Sequence, residues 1–177
     1  MATWNSRGLR GSTLEDMINR TNEKYAESGL ALIQKIPTPI TPVKMDPKSR
    51  QITLAYFDQK STVDYVGVIQ GVPVCFDAKE CDADTFPLQN IHEHQIVFME
   101  DFEKQDGIAF ILIYFTKDDT YYYLTFNELK VFWDRMISGG RKSFRREELK
   151  EGFFFKHKDI VFVPYLDMVR KDLELRD

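Results

Sequence analysis

The sequence predicts an α/β protein built on a mixed β-sheet flanked by helices, and three observations predict it. Residue patterns follow the order helix, strand, hairpin, helix, strand, strand, helix, which suits helices on both faces of one sheet. Two runs of strand-forming residues, Val63 to Ile69 and Val72 to Ala78, flank Gln70-Gly71, which reads as a tight hairpin turn. Ile108 to Phe115 is a continuous apolar run, as a strand covered on both faces requires, and it belongs at the centre of the sheet. At 177 residues the chain can bury a good core and reads as one domain, 1–177.

Met1 to Gly11 is short, polar and glycine-bearing, with Arg7 and Arg10 its only charges, and is expected to be mobile until bound. Ser12-Thr13-Leu14-Glu15 reads as a capping box. Leu14, Met17, Ile18, Thr21 and Tyr25 then form the inward stripe of a helix ending near Gly29. Glu15 has two readings, a cap on a backbone N–H and, less economically, a carboxylate beside a metal. Leu30 to Ile36 is the first strand. Pro37, Pro39, Pro42 and Pro47 then argue against a central strand, so the chain must project or lie at an edge. Strand character returns at Ile52 to Phe57, which makes Pro37 to Lys60 an extended excursion. Within Lys35 to Lys60, five cations, Lys35, Lys44, Lys48, Arg50 and Lys60, stand against Asp46 and Asp58, with Tyr56 and Phe57 adjoining. Basic residues interleaved with aromatics suit phosphate contact with base stacking. The alternative is a solvated loop with one aromatic anchored in the core.

After the hairpin, Thr85 is expected to cap a helix with Pro87 in its first turn, running to Gln105 and stopping at Asp106-Gly107. Leu88, Ile91, Phe98, Met99 and Phe102 mark its buried stripe. Gln95 falls on that stripe, either as a satisfied core glutamine or as an amide reaching a site across the sheet. His92-Glu93-His94 lacks the i, i+4 spacing of a zinc-binding pair, so these histidines read as surface or phosphate-contact residues. Beyond Ile108 to Phe115, Lys117-Asp118-Asp119 turns the chain and Tyr121 to Phe126 forms a strand. Asn127 is expected to cap a helix carrying Leu129, Phe132, Trp133, Met136 and Ile137, ended by Gly139-Gly140. Arg141, Lys142, Arg145 and Arg146 follow as a second basic cluster, partly cancelled by Glu147, Glu148 and Glu151. Phe153-Phe154-Phe155, Ile160 to Val163 and a polar tail complete the chain.

The chemistry concentrates in the hairpin. With a two-residue loop, Ile69 faces Val72, so Asp64 faces Asp77 and Thr62 faces Lys79, all four on one face. Tyr65, Val74, Phe76 and Ala78 occupy the other. Carboxylates held about 5 Å apart on neighbouring strands repel. A divalent cation that accepts oxygen from both offsets the repulsion, and magnesium does so while keeping waters that can become nucleophiles. Lys79 is placed to orient such a water or to neutralise charge developing on a phosphoryl oxygen. The competing reading is a surface hairpin with solvated charges.

Composition sets limits. With 24 Lys and Arg against 28 Asp and Glu the formal charge is −4, so any nucleic-acid contact must rest on local charge. Cys75 and Cys81 support neither a disulfide framework nor a structural zinc site, and fit a reducing cytosol. No apolar run approaches the ~20 residues of a membrane span, and MATWNSRGLRG is not a secretory leader. A cytoplasmic protein without a membrane partner is expected.

Asp64 followed by Asp77-Ala78-Lys79 resembles the Asp then (D/E)-x-K motif of the restriction-endonuclease-like superfamily. More specifically, LRGSTLEDMINRTNEKY, KIPTPI, AYFDQKSTVDYVGV, FDAKE, FPLQNIHEHQI and GGRKS follow the order and spacing of the RecU family of bacterial Holliday junction resolvases. The resemblance covers nearly the whole chain. It implies a restriction-endonuclease-like fold with a protruding stalk at 37–60 and a homodimeric, magnesium-dependent nuclease, with manganese as a substitute ion, that cuts four-way junction DNA in company with other recombination proteins. It assigns metal binding to Thr62, Asp64, Asp77 and Gln95, and transition-state stabilisation to Lys79. The DNA-contact candidates are Arg10, Lys48, Arg50, Tyr56, Phe57, Arg141 and Lys142. Three positions depart from the family pattern: Asp77 stands where Glu is usual, Val66 where Asn is usual, and Pro164 is followed by Tyr165, Leu166 and Asp167, so that one expected cation is missing. Two rival functions remain at this level, a non-catalytic DNA-binding or recombination-regulating protein on the same scaffold, and a restriction or repair nuclease acting on duplex. A basic, proline-rich stalk has no role on a linear duplex.

Overall fold

A computed structural model describes residues 13–57, 62–158 and 161–176. The expected mobile arm with Arg7 and Arg10, the capping Ser12, Lys60 and Ile160 lie outside the described residues.

Helix α1 (Thr13–Glu27) buries Leu14, Ile18, Thr21 and Tyr25, the face that its helical spacing selects, and closes at Gly29 with φ +65°. Strand β1 (Leu32–Lys35) then forms one edge of the main sheet. The proline-rich excursion becomes a separate two-stranded antiparallel ribbon, β2 (Ile40–Met45) with β3 (Ile52–Phe57). The sequence reading expects only the second of these strands. Pro42 is tolerated in the first because the ribbon has no third strand, and the register shifts between Pro42 and Lys44 absorb the irregularity. Asp46 closes the tip by accepting from the Lys48 N–H at 3.0 Å and the Ser49 hydroxyl at 2.7 Å.

The chain returns to the main sheet with β4 (Tyr65–Ile69) and β5 (Val72–Cys81), and continues through β7 (Ile108–Phe115), β8 (Thr120–Thr125) and β10 (Phe154–Phe155). The spatial order is β1-β4-β5-β7-β8-β10. Among the described residues only β5 and β7 run parallel, joined by a crossover that contains α2 (Glu93–Glu103). All eight residues of β7 except Tyr114 are buried, as its unbroken apolar run requires.

Three expectations need correction. Thr85 does not cap a helix. Thr85–Pro87 is a short strand, β6, paired with β9 (Ser143–Arg145), and α2 begins only at Glu93. The backbone of residues 85–87 already has strand partners in β9, and Leu88 N–H donates to the Lys142 carbonyl at 3.0 Å, so no helix can form before Leu88. Helix α3 (Phe126–Ile137) is capped by Thr125 rather than Asn127, the Thr125 hydroxyl accepting from Glu128 N at 3.2 Å. Where a polar tail was expected, residues Leu166–Glu174 form α4, with Val169 and Asp172 buried.

Aromatic rings of Tyr65, Phe76, Phe110 and Tyr123 stack across four strands with centroids 4.7, 4.7 and 4.3 Å apart. On that face lie α1 and α4, reached by Tyr65 OH to Asn19 at 3.1 Å and Tyr123 OH to Asp172 at 3.0 Å. Neighbouring residues on the strands point the other way. Tyr122 donates to Glu128 of α3 at 2.6 Å, and α2 packs over β5 and β7. Arg176 joins the two helix layers, forking onto Glu103 of α2 at 2.6 and 2.9 Å and onto Asp172 of α4 at 3.1 Å. No helix among the described residues is long and apolar enough to cross a membrane.

Candidate active site

The hairpin register is the one its two-residue loop dictates, from Ile69 opposite Val72 to Tyr65 opposite Phe76. Gln70 at φ +47° and Gly71 at φ +92° give the turn two consecutive left-handed residues, whose twist matches the flanking strands. Asp64 is one step beyond the last pair, opposite Asp77.

At that position Asp64 serves two strands. Its carbonyl accepts from Ile36 N at 2.8 Å beside β1, and its carboxylate Oδ2 accepts from Ala78 N of β5 at 3.0 Å, taking the place of a ladder carbonyl. Asp77 lies within β5, next to Ile111 of β7, and its side chain is 0% exposed. No backbone N–H reaches either of its oxygens. Lys79, two residues along on the same face, ion-pairs with Oδ2 and remains partly exposed. Burial first, and then repulsion from Asp77, pushes the Asp64 carboxyl up to about 7; the Ala78 N–H and Lys79 pull the other way.

A buried carboxylate compensated by a single partly exposed ammonium is costly, of order several kcal/mol. Its oxygens, with a second carboxyl across the hairpin, therefore fit a divalent cation. Among the described residues no three or more His, Cys, Asp or Glu side chains cluster as metal ligands. That donor set suits magnesium, which takes one or two carboxylates and completes its shell with water.

Other site expectations separate. Thr62 is half-buried on the segment entering β4, two residues before Asp64. Gln95 is buried on α2, over the sheet face that carries Asp77 and Lys79, but its Oε1 accepts from His92 N at 3.0 Å and closes a capping box at the helix start. This cap accounts for its burial without a metal. His92 and His94 stack on each other with ring centroids 5.4 Å apart. Glu15 pairs with Lys35 at 2.6 Å.

The DNA-contact candidates fall into separate groups. Lys48 and Arg50 lie at the ribbon tip. Tyr56 and Phe57 lie about 20 Å away at the other end of β3, six residues at strand rise. Both aromatics are well exposed, Phe57 at 76%, so neither is anchored in the core. Arg141 pairs with Glu148 at 3.0 Å, while Lys142 is exposed with its carbonyl held by Leu88 N. Arg10 lies outside the described residues.

Two residues were not anticipated. Glu80 accepts from Leu14 N at 3.0 Å and so caps α1 from β5. Strand alternation does place it, with Ala78, on the α1 face. Glu148 gathers two arginines, and its only sequence signal was a place among cancelling charges.

Residues 9–171 match the family model described as RecU, recombination protein U. A Holliday junction resolvase RecU of Pediococcus pentosaceus is 44% identical over 172 residues, covering 94% of this chain and 86% of its own. One from a Geobacillus species is 45% identical over 169 residues, covering 93% and 84%. One from Limosilactobacillus reuteri is 42% identical over 167 residues, covering 92% and 82%.

Proposed function

This chain belongs to the recombination protein U family, and from that premise we propose that it is a magnesium-dependent endonuclease, one nuclease domain per chain, that resolves Holliday junctions by paired symmetric cleavage. The observation that carries the chemistry is the fully buried Asp77 carboxylate, reached by no backbone N–H, opposed by Asp64 and ion-paired on the same face with Lys79.

Asp64 and Asp77 would hold the ion, with Thr62 and Gln95 as the neutral oxygen donors nearest in the family pattern. The bond from His92 N uses one of the two lone pairs of Gln95 Oε1. When bound, magnesium polarises the phosphoryl oxygen and lowers the pKa of a coordinated water, so that a nucleophile exists near neutral pH. As ligands both carboxyls would be ionised, and since burial and Asp77 raise the Asp64 carboxyl, a bound cation would be what favours its ionised form. Lys79 then gives up Asp77 and turns its ammonium to charge developing on the phosphate. Manganese satisfies the same oxygen donors.

A second copy of the chain supplies the second nick, since a four-way junction has approximate two-fold symmetry and so does a homodimer. The β2–β3 ribbon is the element suited to the open centre of the junction, with Lys48 and Arg50 for phosphates and Tyr56 and Phe57 for exposed bases.

The test is incubation with a labelled four-way junction and a matched linear duplex, each with magnesium and with chelator. Symmetric nicking of the junction alone, and only with metal, is expected. Junction binding without cleavage in either ion condition would turn the reading to a regulatory DNA-binding protein, and equal cutting of the duplex to a repair nuclease.

A further inference from the structure

The loop between α3 and β9 is organised by one carboxylate. Glu148 Oε1 meets Arg135 Nη1 at 2.5 Å, and its Oε2 accepts from Arg141 Nη1 at 3.0 Å and from Arg145 N at 2.7 Å. Arg135 is itself fixed: its Nη2 donates to the Ser143 carbonyl at 2.7 Å and its guanidinium stands 5.2 Å from the Phe132 ring centre. Gly140 N–H donates to the Arg135 carbonyl at 2.9 Å, and a Cβ at Gly140 would come within 2.7 Å of that oxygen, so only glycine lets the loop start so close to the helix. Residues 140, 143 and 145 are thus tied to the Arg135–Glu148 pair, and Lys142 is tied through its carbonyl to Leu88, on the path from the catalytic strand to α2.

We propose that Glu148 is a positioning residue for junction binding, holding the Arg141 guanidinium and the adjacent Lys142 segment in the geometry that grips a DNA phosphate. The inference rests on the junction-nuclease reading above. One carboxylate shared by two guanidiniums leaves the cluster net positive. Glu148 engages Arg141 through one nitrogen, and the remaining donors of a planar guanidinium suit the two oxygens of a phosphate. Arg141 stays nearly half exposed while so held. An acidic residue beside DNA ordinarily weakens binding through repulsion. Here its loss sets free a side chain and a loop that must then be ordered when DNA binds.

The experiment measures affinity for a fluorescent four-way junction and a linear duplex by anisotropy, in chelator so that no strand is cut, across a salt series. Glu148→Ala is expected to weaken junction binding about five- to tenfold, although it removes a negative charge. Glu148→Gln keeps an acceptor for Arg145 N and recovers most of that loss. Arg141→Ala weakens binding by a similar factor and flattens the salt dependence, and Arg141→Ala with Glu148→Ala loses no more than Arg141→Ala alone. Binding by Glu148→Ala as tight as wild type or tighter, or losses that multiply in the double variant, would overturn the proposal. If Glu148→Ala does not fold, the same cycle run with Glu148→Gln decides: its smaller loss must vanish in the Arg141→Ala background. The wild type's own preference for junction over duplex reads the parent function separately, since it uses no variant.

Discussion

Burial and the neighbouring Asp77 push the Asp64 carboxyl up to about 7, well above the ordinary carboxylate range. The folded chain therefore binds more protons than the unfolded chain between about pH 4 and 7. The contribution of this group to stability is full below that window and falls as pH rises through it, by at most about 1.4 kcal/mol per pH unit. Urea unfolding in chelator from pH 4.5 to 7.5 should show the decline, and magnesium should stabilise the protein more at pH 7.5 than at pH 5. Asp64→Asn removes the proton uptake and flattens the curve. Its amide can still accept from Ala78 N and adds a donor for Asp77, so the variant should be more stable at pH 7.5 by about 1–3 kcal/mol, and inactive. A variant that cleaves normally with magnesium would remove Asp64 from the site. Lys79→Ala is expected to cost about 10²–10⁴ in single-turnover cleavage rate, with junction affinity changed far less, because its charge acts on the transition state. An equal drop in affinity and rate would make Lys79 a structural partner of Asp77 instead. These three residues were legible in the sequence because a two-residue turn fixes the register of a whole hairpin. Gln95 was legible only as a buried amide, since spacing along a helix does not say which neighbour its oxygen takes.

At the scale of elements, strands with unbroken or alternating patterns were read correctly, and the errors came where one residue type serves two structures. Thr85 and Pro87 carry helix-start chemistry, yet the neighbouring β9 satisfies their backbone as a strand. α4 looked like a tail because its buried face includes Asp172, which is neutralised by Arg176 and hydrogen-bonded by Tyr123, partners distant in sequence or beyond the helix. The hairpin turn itself is suboptimal, with Gln70 in the left-handed region at φ +47°. Gln70→Asn should stabilise the protein by about 0.5–1 kcal/mol, since asparagine adopts that conformation at less cost, and should leave cleavage unchanged because the turn is five residue pairs from Asp64. An unchanged urea midpoint would show that the turn holds no such strain. Replacing the ribbon tip, Val43 to Gln51, with a short glycine linker should abolish the preference for junction over duplex while circular dichroism and magnesium binding persist. A well-folded shortened protein that still discriminates would place recognition elsewhere.

The whole molecule, over the described residues, is a six-stranded sheet between two helical layers; the unbroken apolar run of β7 put that strand at the centre of the sheet, whereas the parallel pairing of β5 with β7, across a crossover that holds α2, had no signal in the pattern of either strand. Its assembly is less legible, since a symmetric interface leaves no periodic signature. A homodimer is expected in sedimentation at micromolar concentration, and a monomer both free and on DNA would rule out paired cleavage by one particle. The β2–β3 ribbon has a consequence for such measurements. It displays Ile40, Val43, Met45, Ile52, Leu54, Tyr56 and Phe57 to solvent on two strands whose outer edges are unpaired. Flat apolar ribbons of this kind zip onto one another, and here Pro42, the register shift beside it and the cations Lys44, Lys48 and Arg50 act as gatekeepers against that. A substitution that regularises the ribbon, such as Pro42→Val, trades colloidal stability for straighter pairing. Light scattering of the DNA-free protein should rise with it, and bound junction should suppress the rise by covering the ribbon.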